Sequence, residues 1–214
     1  MSAPVSPVEV CNLSLDLLRH TTLVENIESP ESDEEALAAR WYDATRRSIL
    51  RMLPCNFARR RVSNRRTSPD PSFEYSDAYL LPSDYVNYVY LGDDPVNNPI
   101  RDFVIEGNKL LINNDGATSL QLCYVYDFQD VAKFDPIFLM FLVGELAVMF
   151  GNSLTGLNKS IAGMEKFRDR WEAKARAKNG QENPPKVISR SSLLSARKGF
   201  RSGLSSDGKH IITG

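Results

Sequence analysis

The chain has 214 residues, 42% of them hydrophobic and 25% charged, with a formal net charge of -1. Such a chain can bury a sizeable core, so disorder throughout is excluded, and the near-zero charge excludes a uniformly basic coat for nucleic acid. Charge is uneven all the same: from Gln181 onward six basic residues face two acidic ones, a net of +4, which leaves -5 on the rest of the chain.

In chain order, Ser6-Pro7-Val8-Glu9 offers a capping box with proline at the first helical position. Val10, Leu13, Leu17 and Leu18 then recur at helical spacing, which predicts a first helix ending near His20. Ser32-Asp33-Glu34-Glu35 is a second capping box whose carboxylates suit the positive end of the next helix. In that helix Leu37, Trp41, Ala44 and Ser48 form one stripe and Ala38, Tyr42, Thr45, Ile49 and Met52 an adjacent one, with Arg40, Arg46, Arg47 and Arg51 on the remaining surface. Pro54 stops it, so the chain turns within "RMLPCNFARRR".

Over 59–131 five prolines exclude long helices, and tyrosine, valine and isoleucine predict a β-rich insertion. Its clearest unit is "RDFVIEGNKLLIN", with Gly107-Asn108 as a tight hairpin turn, followed by the strand "TSLQLCYVYDF". Asp135-Pro136 opens a third helix as cap and first position. Its apolar run, Ile137 to Phe150, falls short of the ~20 residues that span a bilayer and contains Gly144 and Glu145, so a buried core helix is expected and no membrane partner. A fourth helix places Ile161, Met164, Phe167 or Arg168, Trp171 and Ala175 along one side and is expected to stop at Gly180.

After Gly180 the composition turns to Pro, Ser, Gly, Arg and Lys, too poor in apolar residues to fold alone. Val187, Ile188, Leu193, Leu194, Phe200, Leu204, Ile211 and Ile212 nevertheless give periodic anchors, which predicts an extended arm that orders on a partner. The expected class is α+β. An antiparallel helical bundle built from 1–58 and 132–180 carries an inserted β-rich lobe over 59–131 and an extended C-terminal arm over 181–214.

Signals of chemistry are sparse. The odd, widely spaced Cys11, Cys55 and Cys123 suggest neither a disulfide framework nor a zinc site and fit a reducing compartment. The first residues lack the basic and apolar regions of a secretory signal. His20 suits the C-terminal end of a helix better than a general-base role. "GLSSDGKH", Gly203 to His210, has the glycine and lysine spacing of a phosphate loop but neither the Ser or Thr nor the strand and helix that such a loop joins. Glu25, Glu28, Glu31, Asp33, Glu34 and Glu35 could suggest a metal or hydrolase cluster, yet a helix N-terminus is sufficient reason for them. No catalytic, cofactor or metal site is therefore expected. Arg59, Arg60, Arg61, Arg65 and Arg66 form the densest basic segment, with Phe57 nearby as a stacking partner, and suit either phosphate or the carboxylates of a neighbouring subunit.

Several segments together carry a resemblance: "CNLSLDLL", "ALAARWYDATRRSILRMLPCNFA", "YLLPSDYVNYVYL", "FVIEGNKLLIN", "LCYVYDFQDVAKFDPIFLMFLVGELAVMF" and "SLTG". In this order, over about Val10 to Ala177, the series resembles the tail tubular protein A, or head-to-tail adaptor, family of short-tailed bacteriophages. Cys55 departs from the family, which often carries tryptophan there. The resemblance implies a structural virion protein without catalytic activity, made in the host cytoplasm and placed at the head-tail junction. It implies a homo-oligomeric ring, commonly of twelve copies, between the portal protein and the tail nozzle, with double-stranded DNA passing through it. It also implies that the arm reaches the portal; from the arm's own residues, Lys186, Arg190, Arg197, Lys198 and Arg201 are expected to meet acidic surface there and Leu193, Leu194 and Phe200 to fill pockets. The free protein should then be monomeric or weakly associated.

Two other readings stay open from sequence. One is a nucleic-acid-binding regulatory protein using the Arg59 to Arg66 segment, for which salt-dependent binding by the isolated monomer is the test. The other is a peptidoglycan-cleaving virion enzyme drawing on the acidic cluster.

Overall fold

The computed structural model of the chain describes residues 6–95, 98–154 and 158–182. Helix α1 (Pro7–Leu17) begins where the Ser6 hydroxyl accepts the Glu9 amide at 3.2 Å. It ends at Leu17 with Leu18 as its cap, close to His20. Arg19 turns left-handed at φ 57, its amide donates to the Asp16 carbonyl at 2.9 Å, and the His20 amide donates to the Leu15 carbonyl at 3.0 Å. That paired closure satisfies the last carbonyls without a cationic side chain. The deepest side chains of α1 are Val10, Cys11, Ser14 and Leu15, a narrower stripe than leucine spacing suggests.

Helix α2 (Asp33–Met52) starts on the complete Ser32/Glu35 capping box and ends at Leu53, whose amide still reaches the Ile49 carbonyl before Pro54 breaks the ladder. A single 3-10 turn, Asn56–Ala58, then delivers the chain into strand β1 (Arg59–Arg65). The arginine run is thus a strand.

Among the described residues six strands form two small antiparallel sheets. The first has the order β1, β6 (Ser119–Tyr126), β3 (Tyr85–Leu91), and the second β2 (Asp77–Leu80), β5 (Lys109–Ile112), β4 (Phe103–Glu106). The β4-β5 turn closes on two residues, with Gly107 at φ 58, a dihedral that glycine adopts without strain. Alternation sets the faces: Leu120, Leu122 and Tyr124 of β6 pack with Tyr79, Leu110 and Ile112 of the second sheet, giving the lobe its own core. Val125 on the other face joins Ala58 and Val86 in the helical core.

Helix α3 (Pro136–Ser153) is capped by Asp135, whose carboxylate accepts the Ile137 and Phe138 amides at 2.8 and 3.2 Å. It is long and apolar enough to cross a bilayer by length and composition, but it packs against α1, α2 and α4 (Asn158–Glu182) and most of it is buried there. A helix wrapped on all sides needs apolar residues all round. Helices α3 and α4 run antiparallel, since Gly144 faces Phe167 and Arg168 while Gly151 faces Ile161. Met164, Trp171 and Ala175 of α4 pack on this core, on the stripe that their spacing marks. Gly180 does not stop the helix, which continues to Glu182; a glycine ends a helix only where the chain turns left-handed after it, and Gly180 is helical. The fold is α+β, with the strands between α2 and α3.

Arm residues Lys186, Arg190, Leu193, Leu194, Arg197, Lys198, Phe200 and Arg201, and the segment "GLSSDGKH", lie outside the described residues.

Candidate interaction surface

The corner after α2 is built from apolar contacts. Phe57 packs its ring against Phe128, Phe134 and Phe138 at centroid distances of 5.4, 6.1 and 5.1 Å, so it is a core aromatic and no platform for a base. Cys55, half-buried beside it, has its thiol pushed up to about 12 by burial, and burial does the same to Cys11. A thiol so raised is a poor nucleophile at neutral pH.

Strand alternation divides the arginines. Arg60 lies over the Tyr126 ring at 3.6 Å and donates to Asp84 Oδ2 at 2.6 Å. Asp84, from "LPSD", also accepts the Tyr124 hydroxyl at 2.9 Å, and burial followed by this bond pushes Tyr124 up to about 12. Arg66 forks onto Asp70 at 3.1 and 2.8 Å and pairs with the fully buried Asp77 at 2.9 Å. Burial pushes the Asp77 carboxyl up, but bonds from the Ser76 hydroxyl and the Asn114 and Gly116 amides, with the Arg66 charge, outweigh it and hold it below the usual range. On the other face Arg59 donates to the Pro54 carbonyl at 3.2 and 2.8 Å, Arg61 donates to the Tyr90 hydroxyl at 2.9 Å, and Arg65 is exposed. The five do not form one patch.

The acidic segment is likewise structural where it is buried. Both Glu35 oxygens are taken by backbone amides, Glu31 at 2.7 Å, Glu25 and Asn26 at 3.0 Å and Ser32 at 3.3 Å. Those amides, Glu31 foremost, pull its carboxyl down to about 2. Glu34 accepts from His20 at 2.7 Å, which lowers its carboxyl too. The His20 side chain therefore meets the start of α2, while its backbone amide closes the end of α1. Among the described residues no group of three or more His, Cys, Asp or Glu side chains is placed to hold a metal ion.

Spacing places Arg46 on the open surface of α2, and the structure corrects that. Its side chain is 1% exposed and donates to Asp127 Oδ1 and the Phe128 carbonyl, both at 2.6 Å, and to Asp43 at 3.0 Å. This ties the helices to the exit of β6. The signal was there to find, since Arg46 falls four residues after Tyr42 and three before Ile49, on the buried stripe.

Beside Arg46 the surface opens into a cleft of about 630 Å³ between α2, the start of β3 and the β4-β5 turn. Arg47 and Arg51 stand one helical turn apart on its wall, with Tyr85 and Tyr88 opposite. Arg47 reaches Asp127 only at 3.9 Å and Arg51 makes a 3.5 Å bond to the Val86 carbonyl, so both guanidinium groups keep donors for a partner. Arginine and tyrosine at such a junction are the residue types enriched in protein interfaces. No protein-family model matches the sequence, and no curated protein matches it.

Proposed function

We infer that the chain is a structural head-to-tail adaptor of a short-tailed bacteriophage, a ring subunit between the portal and the tail nozzle through which double-stranded DNA passes. The observation that carries the reading is the ordered series of segments over about Val10 to Ala177 that resembles that family. What supports it further is where those segments fall. "CNLSLDLL" lies on α1 and its end, the long tryptophan-arginine segment is α2 and the Phe57 corner, and "LPSD" supplies the Asp84 anchor. "FVIEGNKLLIN" is the β4-β5 hairpin and "FDP" caps α3. Each of these placed segments does a structural job, as expected of a family defined by architecture and not by chemistry.

On this reading the protein acts by presenting surfaces. Unlike faces on neighbouring copies close a ring, and the arm adds affinity for the portal by tethering. The chain needs no cofactor or metal, and its place is the virion's head-tail junction. The test is co-sedimentation of the portal protein with the full chain and with a chain truncated after Glu182. The full chain should bind and the truncated body should stay folded but lose binding; equal binding by both would remove the arm from the account.

A further inference from the structure

The connection between β1 and β2, "TSPDPSFEYS", presents its aromatic outward. Phe73 is 80% exposed, the largest exposure among the big apolar side chains of the described residues. The loop beneath it is held at several points: Arg66 bridges Asp70 and Asp77 across it, and the Ser76 amide donates to Asn113 Oδ1 at 2.8 Å. Glu74 follows in a left-handed conformation at φ 70, which an L side chain adopts rarely, and the Tyr75 amide turns back to the Phe73 carbonyl at 2.9 Å. A held loop that keeps a phenylalanine in water and a glutamate in an uncommon backbone region loses little further entropy on docking. Glu74 has no ion-pair partner among the described residues.

The cleft beside α2 is its complement. Arg47 and Arg51 supply unsatisfied cationic donors, Tyr88 is 43% exposed, and Ile105 and Gly107 line the far side. An aromatic side chain followed by a carboxylate complements a tyrosine-lined cleft edged by two guanidinium groups in residue chemistry and charge. The two features stand apart on one chain. Asp77, at the loop's end, pairs with Ile112, whereas Lys109, beside the Gly107 turn, pairs with Leu80 at the other end of the same ladder. Loop and cleft on different parts of one molecule make a head-to-tail contact, and such contacts generate rings when the rotation closes.

We propose that Phe73 and Glu74 of one copy dock into the Arg47, Arg51 and Tyr88 cleft of a second copy and so form the subunit contact of the assembled protein. The proposal rests on the ring reading given above and supplies its interface.

The experiment places a photo-crosslinking benzoylphenylalanine at position 73 of the full chain. Isotope-labelled and unlabelled copies are mixed, and crosslinks are mapped by mass spectrometry, alone at about 0.1 mM and bound to the portal. Crosslinks from 73 of one copy to 47–51 or 85–88 of another are expected. Crosslinks only within one copy, only to another region or another protein, or none in either condition, overturn the proposal. In parallel, Glu74→Arg should weaken self-association at least about tenfold and a further Arg51→Glu in the same chain should restore it. Both positions are exposed, so folding is not at stake, and failure of the second change to restore association also counts against the interface. Specific crosslinks without any portal-bound ring would keep the interface and sink the adaptor reading; a portal-bound ring whose crosslinks miss the cleft would do the reverse.

Discussion

Replacing Arg46 by methionine keeps the aliphatic stem within α2 and removes the guanidinium, leaving the Asp127 carboxylate and the Phe128 carbonyl without their 2.6 Å donors. Breaking a buried pair from one side costs about 3–5 kcal/mol. Asp127 is 18% exposed and can recover some hydration, which puts Arg46→Met at the lower end, about 3 kcal/mol. Asp127→Ala leaves a guanidinium that is 1% exposed with only the Phe128 carbonyl and the exposed Asp43, so its cost should be at least as large. Because the two side chains share one interaction, the double variant should lose less than the sum of the singles, with a coupling of about 1 kcal/mol or more. Urea unfolding of the four chains, with stability extrapolated to water, gives each value. Additive losses, or single variants within about 0.5 kcal/mol of wild type, would refute the claim that this pair joins helices to lobe.

Other expectations follow from equally local features. A Cβ at Gly144 would lie 3.0 Å from Phe167 Cδ1 and 3.2 Å from the Arg168 Cα, so Gly144→Ala should cost about 1–3 kcal/mol, while Gly163→Ala, with nothing within 4 Å, should gain about 0.5–1 kcal/mol, both by urea unfolding. Glu35 loses its proton far more readily folded than unfolded, so the stability it adds is full above the ordinary glutamate range and is lost as pH falls toward about 2. Thermal melts from about pH 5 downward should show that loss in wild type and a flatter profile in Glu35→Gln; parallel profiles would contradict the amide nest. Arg66→Ala removes the cationic partner of Asp77 Oδ1 and should cost about 1–3 kcal/mol, whereas the exposed Arg65→Ala should stay within about 0.5 kcal/mol by urea unfolding. Equal effects would mean that the arginine run acts as one patch after all.

What could be read from sequence was what short range determines. Ser32 with Glu35, Asp135 with Pro136, and Gly107 in its hairpin are set by backbone hydrogen bonding within four residues, and each stands where residue type alone placed it. Long range hid the rest. Arg46 reads as surface until Asp127, 81 residues away, supplies a carboxylate, and Arg60 and Arg66 read as free charge until the sheets bring Asp84 and Asp77 beside them. The division of the arginine run also follows from period-two alternation, which needs the segment to be recognised as strand. Nothing local marks the cleft, whose walls come from α2, β3 and the β4-β5 turn.

The most direct measurement of the adaptor proposal is electron microscopy of the full chain mixed with the portal protein proposed as its partner. The account predicts a closed ring of this protein seated on the portal, with density for the arm running onto portal surface and a continuous channel wide enough for duplex DNA. Portal particles bare of the protein, or the protein bound as scattered monomers without a ring, would contradict it.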